Sequence, residues 1–240
     1  MISQVKRLWD MVLDILFPPS CLACTAALTG TRSELPLVCD ACTQSIKVST
    51  AYFCPACRAR IPVGQPGCHP KANYVLAGAT SYEIPAVQSL IWRLKFNRRT
   101  LAAGPLADIV SLFLDSIRLD ISQSIIVPIP LHPSRLRDRG FNQSELIARE
   151  LIKTRGGGLC TDVLRKQVAT QPQSKLDQWD KRERNVRGSF IIANPELVKG
   201  RDIILLDDVW TSGATMNEAA RLLKAAGAKK IIALVVAKAG

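Results

Sequence analysis

Residues 203–215 read Ile203-Ile204-Leu205-Leu206-Asp207-Asp208-Val209-Trp210-Thr211-Ser212-Gly213-Ala214-Thr215. The apolar run is that of a buried strand, expected over residues 202–206, and a helix is expected over residues 215–226, closed by Gly227. Between them lie two adjacent carboxylates and a short loop of hydroxyls around one glycine. An ordinary strand–turn–helix needs only one capping hydroxyl, which Ser212 or Thr215 supplies. That simpler reading accounts for neither aspartate.

The order strand, acidic pair, hydroxyl and glycine loop, helix start suits a ribose 5-phosphate. Backbone N–H groups and hydroxyls at a helix amino terminus hold a phosphate, while neighbouring carboxylates accept hydrogen bonds from vicinal hydroxyls. Working outward, a strand or hairpin is expected at residues 74–82, helices at 84–94 and 101–118, and a buried strand at 124–129. A helix over residues 144–154, which the glycines at 156–158 end, precedes strands at 159–164, 189–192 and 231–237. Strands alternating with helices imply an α/β domain with a mainly parallel sheet. The segment 167–187 is too polar to pack and too long for an idle connection, a length usually functional or disordered.

Towards the amino terminus the pattern changes. All but one of the eight cysteines fall between Cys21 and Cys68, and Cys160 stands alone. This asymmetry divides the chain into an amphipathic helix within residues 1–19, a cysteine-rich region at 20–72 and the α/β domain at 73–240. The helix carries Asp10 and Asp14 on its polar face, which favours docking on the protein, with a membrane-surface helix as the alternative. No secretory pattern precedes it, so a reducing cytosol is expected, where paired cysteines more often bind metal than form disulfides. The longest apolar runs fall well short of the roughly 20 residues that span a bilayer. No transmembrane segment is expected.

Two thiolates separated by two residues grip a tetrahedral ion from a tight turn. Cys21/Cys24 with Cys39/Cys42 is the favoured zinc set, and Cys54/Cys57 forms a second knuckle that Cys68 and His69 complete as a possible second zinc site. Redox chemistry and crossed pairings remain alternatives. Four thiolates leave no open position for water, so the zinc is structural.

Formal net charge is +12. The excess is concentrated at Arg93, Lys95, Arg98 and Arg99, at Arg135, Arg137 and Arg139, and more loosely at Arg165, Lys166, Lys175, Lys181, Arg182, Arg184 and Arg187. A solvated surface accounts for one such cluster, but three beside a phosphate loop favour nucleic acid or phosphorylated ligands.

Residues 203–215 resemble the phosphoribosyl-diphosphate (PRPP) motif of type I phosphoribosyltransferases at every constrained position, with Trp210 and Thr211 at the variable ones. The resemblance implies that Asp207 and Asp208 bind the ribose hydroxyls and are the catalytic acids. Thr211, Ser212, Gly213, Ala214 and Thr215 would cradle the 5-phosphate, with Mg²⁺ accompanying PRPP. It implies a diphosphate-binding loop after residues 127–130, in a turn carrying His132, Arg135, Arg137 and Arg139. The polar segment with Lys181, Arg182 and Arg184 would be the flexible loop over the site. Leu94-Lys95-Phe96, Pro128-Ile129-Pro130-Leu131-His132, Arg139-Gly140-Phe141-Asn142-Gln143 and Arg184-Asn185-Val186, with the cysteine array, resemble the ComF/GntX family over almost the whole chain. That family implies a double zinc ribbon before a phosphoribosyltransferase domain. It also implies single-stranded DNA as partner in natural competence, with PRPP or a nucleotide as small ligand. A cytoplasmic place, peripheral at the inner membrane and in contact with DNA-uptake proteins, goes with it, as does the alternative of an active phosphoribosyltransferase with an unknown acceptor.

Overall fold

A computed structural model describes residues 19–28, 33–168 and 186–240. The amino-terminal helix expected before Pro19, together with Lys175, Lys181, Arg182 and Arg184, lies outside them.

Among the described residues, seven strands form one sheet in the order β2-β1-β3-β9-β8-β4-β5. These are β1 (Tyr52–Phe53), β2 (Arg60–Ile61), β3 (Val75–Ser81), β4 (Ile125–Pro128), β5 (Gly158–Leu159), β8 (Asp202–Trp210) and β9 (Lys230–Lys238). Every pairing from β3 to β5 is parallel, whereas β1 and β2 extend the β3 edge antiparallel. A separate antiparallel pair joins β6 (Leu164–Lys166) to β7 (Phe190–Ile192).

Both faces of the central strands are dry, and the side-chain alternation sorts them. Ile204, Leu206, Ile232, Leu234 and Val236 pack under three helices: α2 (Pro85–Phe96), α3 (Ala103–Ser116) and α5 (Gln143–Arg155). Ile203, Leu205, Ile231, Ala233 and Val235 pack against α6 (Ala214–Ala225) and the β6–β7 pair. Burial on both sides is why these strands read as continuous apolar runs. Each fully buried leucine or isoleucine contributes about 1.5–3 kcal/mol.

The cysteine region is joined to this sheet. A short helix, α1 (Asp40–Ser45), leads to residues 47–53, which run beside β3: Ser49 N–H donates to the Ala79 carbonyl at 2.7 Å and Thr80 Oγ1 to the Lys47 carbonyl at 2.7 Å. Phe53 then pairs with Leu76. Exposed backbone groups on an edge strand invite pairing, and here the cysteine region takes that role.

Several boundaries differ from expectation. β8 does not stop at Leu206; it continues through both aspartates to Trp210, because Asp207, Val209 and Trp210 stay in register with Val235, Ala237 and Lys238 of β9. The arginine-bearing turn is a helix, α4 (Pro133–Arg139), with proline at its start and Gly140 at φ 85° closing it. Residues 159–164 form no single strand, since β5 belongs to the main sheet and β6 to the separate pair. Residues 75–81 form one strand rather than a hairpin.

Candidate functional site

The site lies where β8 emerges from the sheet. Along β8 the alternation breaks at the acidic pair: Leu206 and Val209 face the α2–α5 side, whereas Leu205 and Trp210 face the other. Both carboxylates consequently meet partners from that first side. Asp207 Oδ1 accepts from Ser144 Oγ of α5 at 2.7 Å and from Asp208 N–H at 2.9 Å. Asp208, buried at 3% exposure, is gripped by Lys95 of α2, whose Nζ lies 2.9 Å from Oδ1 and 2.8 Å from Oδ2.

Burial and the adjacent Asp208 charge push the Asp207 carboxyl up to about 7, against the opposing effects of Lys95 and Ser144. Two carboxylates this close do not both ionise readily. A rim of cations faces them. Burial lowers Arg139, offset by the charges of Asp208 and Asp207, with Arg135 alongside. Burial likewise brings Lys166 down to about 8, with Arg135 lowering it further and Asp207 raising it.

The loop after β8 has its shape enforced by Gly213. Its φ is 83°, and a Cβ there would lie 2.9 Å from Trp210 Nε1 and 3.0 Å from Cε2 and Cζ2. A side chain is thus excluded both by backbone conformation and by the indole. Ser212 and Ala214 are buried, Thr211 and Thr215 are partly exposed, and Ser212 Oγ accepts from Ala214 N–H at 3.4 Å. With Gly213 as cap, α6 opens at this loop and directs its amino-terminal N–H groups to the same place.

Of the residues singled out on α4, Arg139 is partly buried near the acidic pair, Arg135 is partly buried beside Arg139, and Arg137 is exposed. His132 caps the helix, its Nδ1 accepting from Ser134 N–H at 3.3 Å and lying 2.7 Å from Ser134 Oγ. Asn142 begins α5 and anchors its amide on the Ile129 carbonyl at 3.0 Å. Beside this mouth, Trp92 and Phe96 are 54% and 63% exposed with ring centroids 5.9 Å apart, and the Arg139 guanidinium lies 5.8 Å from the Phe96 ring.

Lys95 and Ser144 were not singled out as ligands of the aspartates by the sequence. Lys95 was visible as one member of a basic cluster and within the Leu94-Lys95-Phe96 element, neither of which names a carboxylate partner, and a serine in a helix's first turn ordinarily serves capping. Trp210 stood at a variable motif position, and only the tertiary contacts show it propping the loop.

The eight donors of the cysteine region form two groups, Cys21, Cys24, Cys39 and Cys42, and Cys54, Cys57, Cys68 and His69, the donor atoms of each lying within 4.8 Å of one another. A tetrahedral ion bound by thiolates at about 2.3 Å needs sulfur–sulfur edges of about 3.8 Å. Cys24 Sγ and Cys39 Sγ are 3.7 Å apart. In the second group Cys57 Sγ lies 3.3 Å from Cys68 Sγ, and His69 Nδ1 lies 3.2 Å from Cys54 Sγ. Burial opposes ionisation of Cys21, but N–H groups of Cys24, Cys39 and Ala23 outweigh it and hold the thiol at about 6. Cys54 is likewise brought to about 6 against its burial, by the N–H groups of Cys57 and Ala56. In each set one thiol ionises readily while others are pushed up, Cys42 in the first by burial and then by the Cys39 and Cys24 thiols, and Cys68 in the second, to about 11, by the Cys57 and Cys54 thiols. Both sets fit a metal ion, which would let every thiolate ionise.

Among the described residues no helix is long and apolar enough to cross a membrane. A family model described as a phosphoribosyl transferase domain matches residues 139–240. The chain is 30% identical over 201 residues to the DNA utilization protein YhgH of Salmonella typhimurium, a match covering 81% of this chain and 87% of that protein. It is 29% identical over 153 residues to competence protein F of Haemophilus influenzae, covering 62% and 66% of the two chains. With competence protein ComFC of Bacillus subtilis the identity is 27% over 205 residues, covering 78% and 77%. The strand, acidic pair and glycine loop thus stand in a phosphoribosyltransferase fold behind two cysteine clusters, and the chain belongs to the ComF family.

Proposed function

We propose that this is a cytoplasmic DNA-uptake protein that holds the ribose 5-phosphate part of PRPP or a nucleotide, and carries single-stranded DNA on the adjoining basic rim. In this reading Asp207 and Asp208 accept the ribose hydroxyls, and Thr211, Ser212, Gly213, Ala214 and Thr215 take the 5-phosphate. Arg135, Arg137 and Arg139, with His132 and the basic residues Lys181, Arg182 and Arg184, take diphosphate or the DNA backbone. Zinc in the two cysteine clusters is structural. The observation that carries the reading is the junction of a carboxylate pair, a helix-start phosphate loop and a basic, aromatic-edged mouth. Phosphates suit the cations, and unstacked bases suit Trp92 and Phe96. The relatives' names, which speak of DNA utilization and competence, support the setting.

A second reading, transfer of ribose 5-phosphate from PRPP to an acceptor, is favoured by the Asp207 carboxyl near 7, a value suited to proton exchange at neutral pH. Mg²⁺ would supply charge neutralisation for the departing diphosphate. Asp207 and Asp208 are the residues that would hold it, which requires the Lys95 ammonium to yield Asp208.

The test is fluorescence anisotropy of a labelled single-stranded oligonucleotide, with and without excess PRPP and Mg²⁺. Displacement of DNA by PRPP is expected. Asp207→Asn should remove PRPP binding and its competition while DNA still binds, and Arg135→Ala or Arg139→Ala should weaken DNA binding and flatten its salt dependence. Absence of DNA binding in the wild type would overturn the first reading and leave the enzyme reading in its place.

A further inference from the structure

We infer that Arg58 is a positioning residue for the phosphate loop, through which the second cysteine–histidine knuckle sets the shape of residues 211–215. This rests on reading that loop as a phosphate cradle. Arg58 closes the knuckle: its N–H donates to the Cys54 carbonyl at 2.9 Å, with φ at +63°. A left-handed backbone suits glycine and is costly for a side chain. The knuckle itself therefore gives arginine no advantage.

The guanidinium supplies another role. It lies over the Trp210 ring, 5.2 Å from the centroid. Trp210 is 1% exposed and ends β8, and its indole meets the backbone of Gly213 so closely that a Cβ there would come within 2.9 Å. Its Nε1 donates to Tyr74 Oη at 3.3 Å, and Tyr74 Oη donates to Asn217 Oδ1, in the first turn of α6, at 2.9 Å. One indole thus contacts the strand, the loop and, through Tyr74, the helix that together make the cradle. Arg58 is the link between that indole and the metal knuckle. Three of the knuckle's donors, Cys57, Cys68 and His69, are exposed, so the geometry of Arg58 depends on ligands at the surface and not on a packed core.

The decisive variant is Arg58→Gly, which suits the backbone and keeps all four metal ligands. Expected are unchanged metal content, an affinity for ribose 5-phosphate lowered roughly three- to tenfold, the range of a cation–π contact, and faster hydrogen exchange across residues 209–218. Arg58→Lys, which keeps a cation over the indole, should recover most of the affinity. A purely structural role for the knuckle predicts instead that Arg58→Gly matches or exceeds the wild type in both readouts, and that result overturns the inference. Should ribose 5-phosphate fail to bind the wild-type protein, the phosphate reading falls by itself. Hydrogen exchange then decides the coupling: faster exchange at residues 209–218 in Arg58→Gly supports it, and unchanged exchange sinks it.

Discussion

The two cysteine clusters start from the same turn and end in different surroundings. In each, the residue after the second cysteine has a positive φ, Thr25 at 69° and Arg58 at 63°, and donates its N–H at 2.9 Å to the carbonyl of the first cysteine. The first cluster has Cys24 exposed but is set against the core: Cys21, Leu22, Ala23, Leu35 and Val38 belong to the same buried cluster as Leu90 of α2 and Leu106 of α3. In the second, the three donors besides Cys54 are all exposed, and it meets the rest of the protein at the β1 edge and in the Arg58–Trp210 contact. One turn thus supports the core when apolar residues surround it. The same turn at a sheet edge, with a long cation beside it, reaches the Trp210 indole at the end of β8 instead.

The largest effect that would sharpen this contrast is on stability. Cys21→Ser should remove one metal and expose core surface, lowering the melting temperature by on the order of 10 °C for a chain of this size; calorimetry with metal analysis checks both. Cys68→Ser should also remove one metal, yet lower the melting temperature by less than half as much, because its site shields little core. Equal losses in the two variants would erase the distinction. Gly213→Ala comes next, expected to cost about 2 kcal/mol from its left-handed backbone and the indole clash. Chemical denaturation should show this with metal content intact and ribose 5-phosphate binding lost, and a variant that still binds would break the account of the loop.

The smallest effect concerns pH. Asp207 is raised from 3.8 to about 7, so the folded protein holds this proton more tightly than the unfolded chain. The stability that this contributes is present below about 4 and is lost as pH rises through about 7. Ligand binding runs the other way: ionised Asp207 is the better acceptor for ribose hydroxyls, so affinity for ribose 5-phosphate should rise as pH passes 7. Titration calorimetry across pH 6–8 measures it. A profile that rises only near 6, where the phosphate itself titrates, and stays flat through 7 would break this account of Asp207.

Much of this was legible along the chain. The glycine between hydroxyls, the adjacent aspartates and the apolar runs at 203–206 and 231–237 express local needs: a left-handed cap, acceptors at a strand end, strands dry on both faces. The cysteine spacings likewise show the paired-thiol turns, because two residues between thiols is a property of the turn itself, but not which turns come together. The strand's extension to Trp210 was less visible, since aspartates weigh against a strand until the register with β9 holds them there. The helix over the arginines was hidden by their polarity.

By itself, then, the sequence determined most of the elements, the acidic pair and its loop, and the paired-thiol turns, all of which depend on neighbours within a few residues, whereas which turns share an ion was decided by the fold. Tertiary structure alone decided that Lys95 neutralises Asp208 across 113 positions, that Ser144 bonds Asp207 across 63, and that Trp210 and Tyr74 meet across 136. Such pairs form because separate helices and strands pack on one sheet, and no local preference of either partner records which distant residue it will meet.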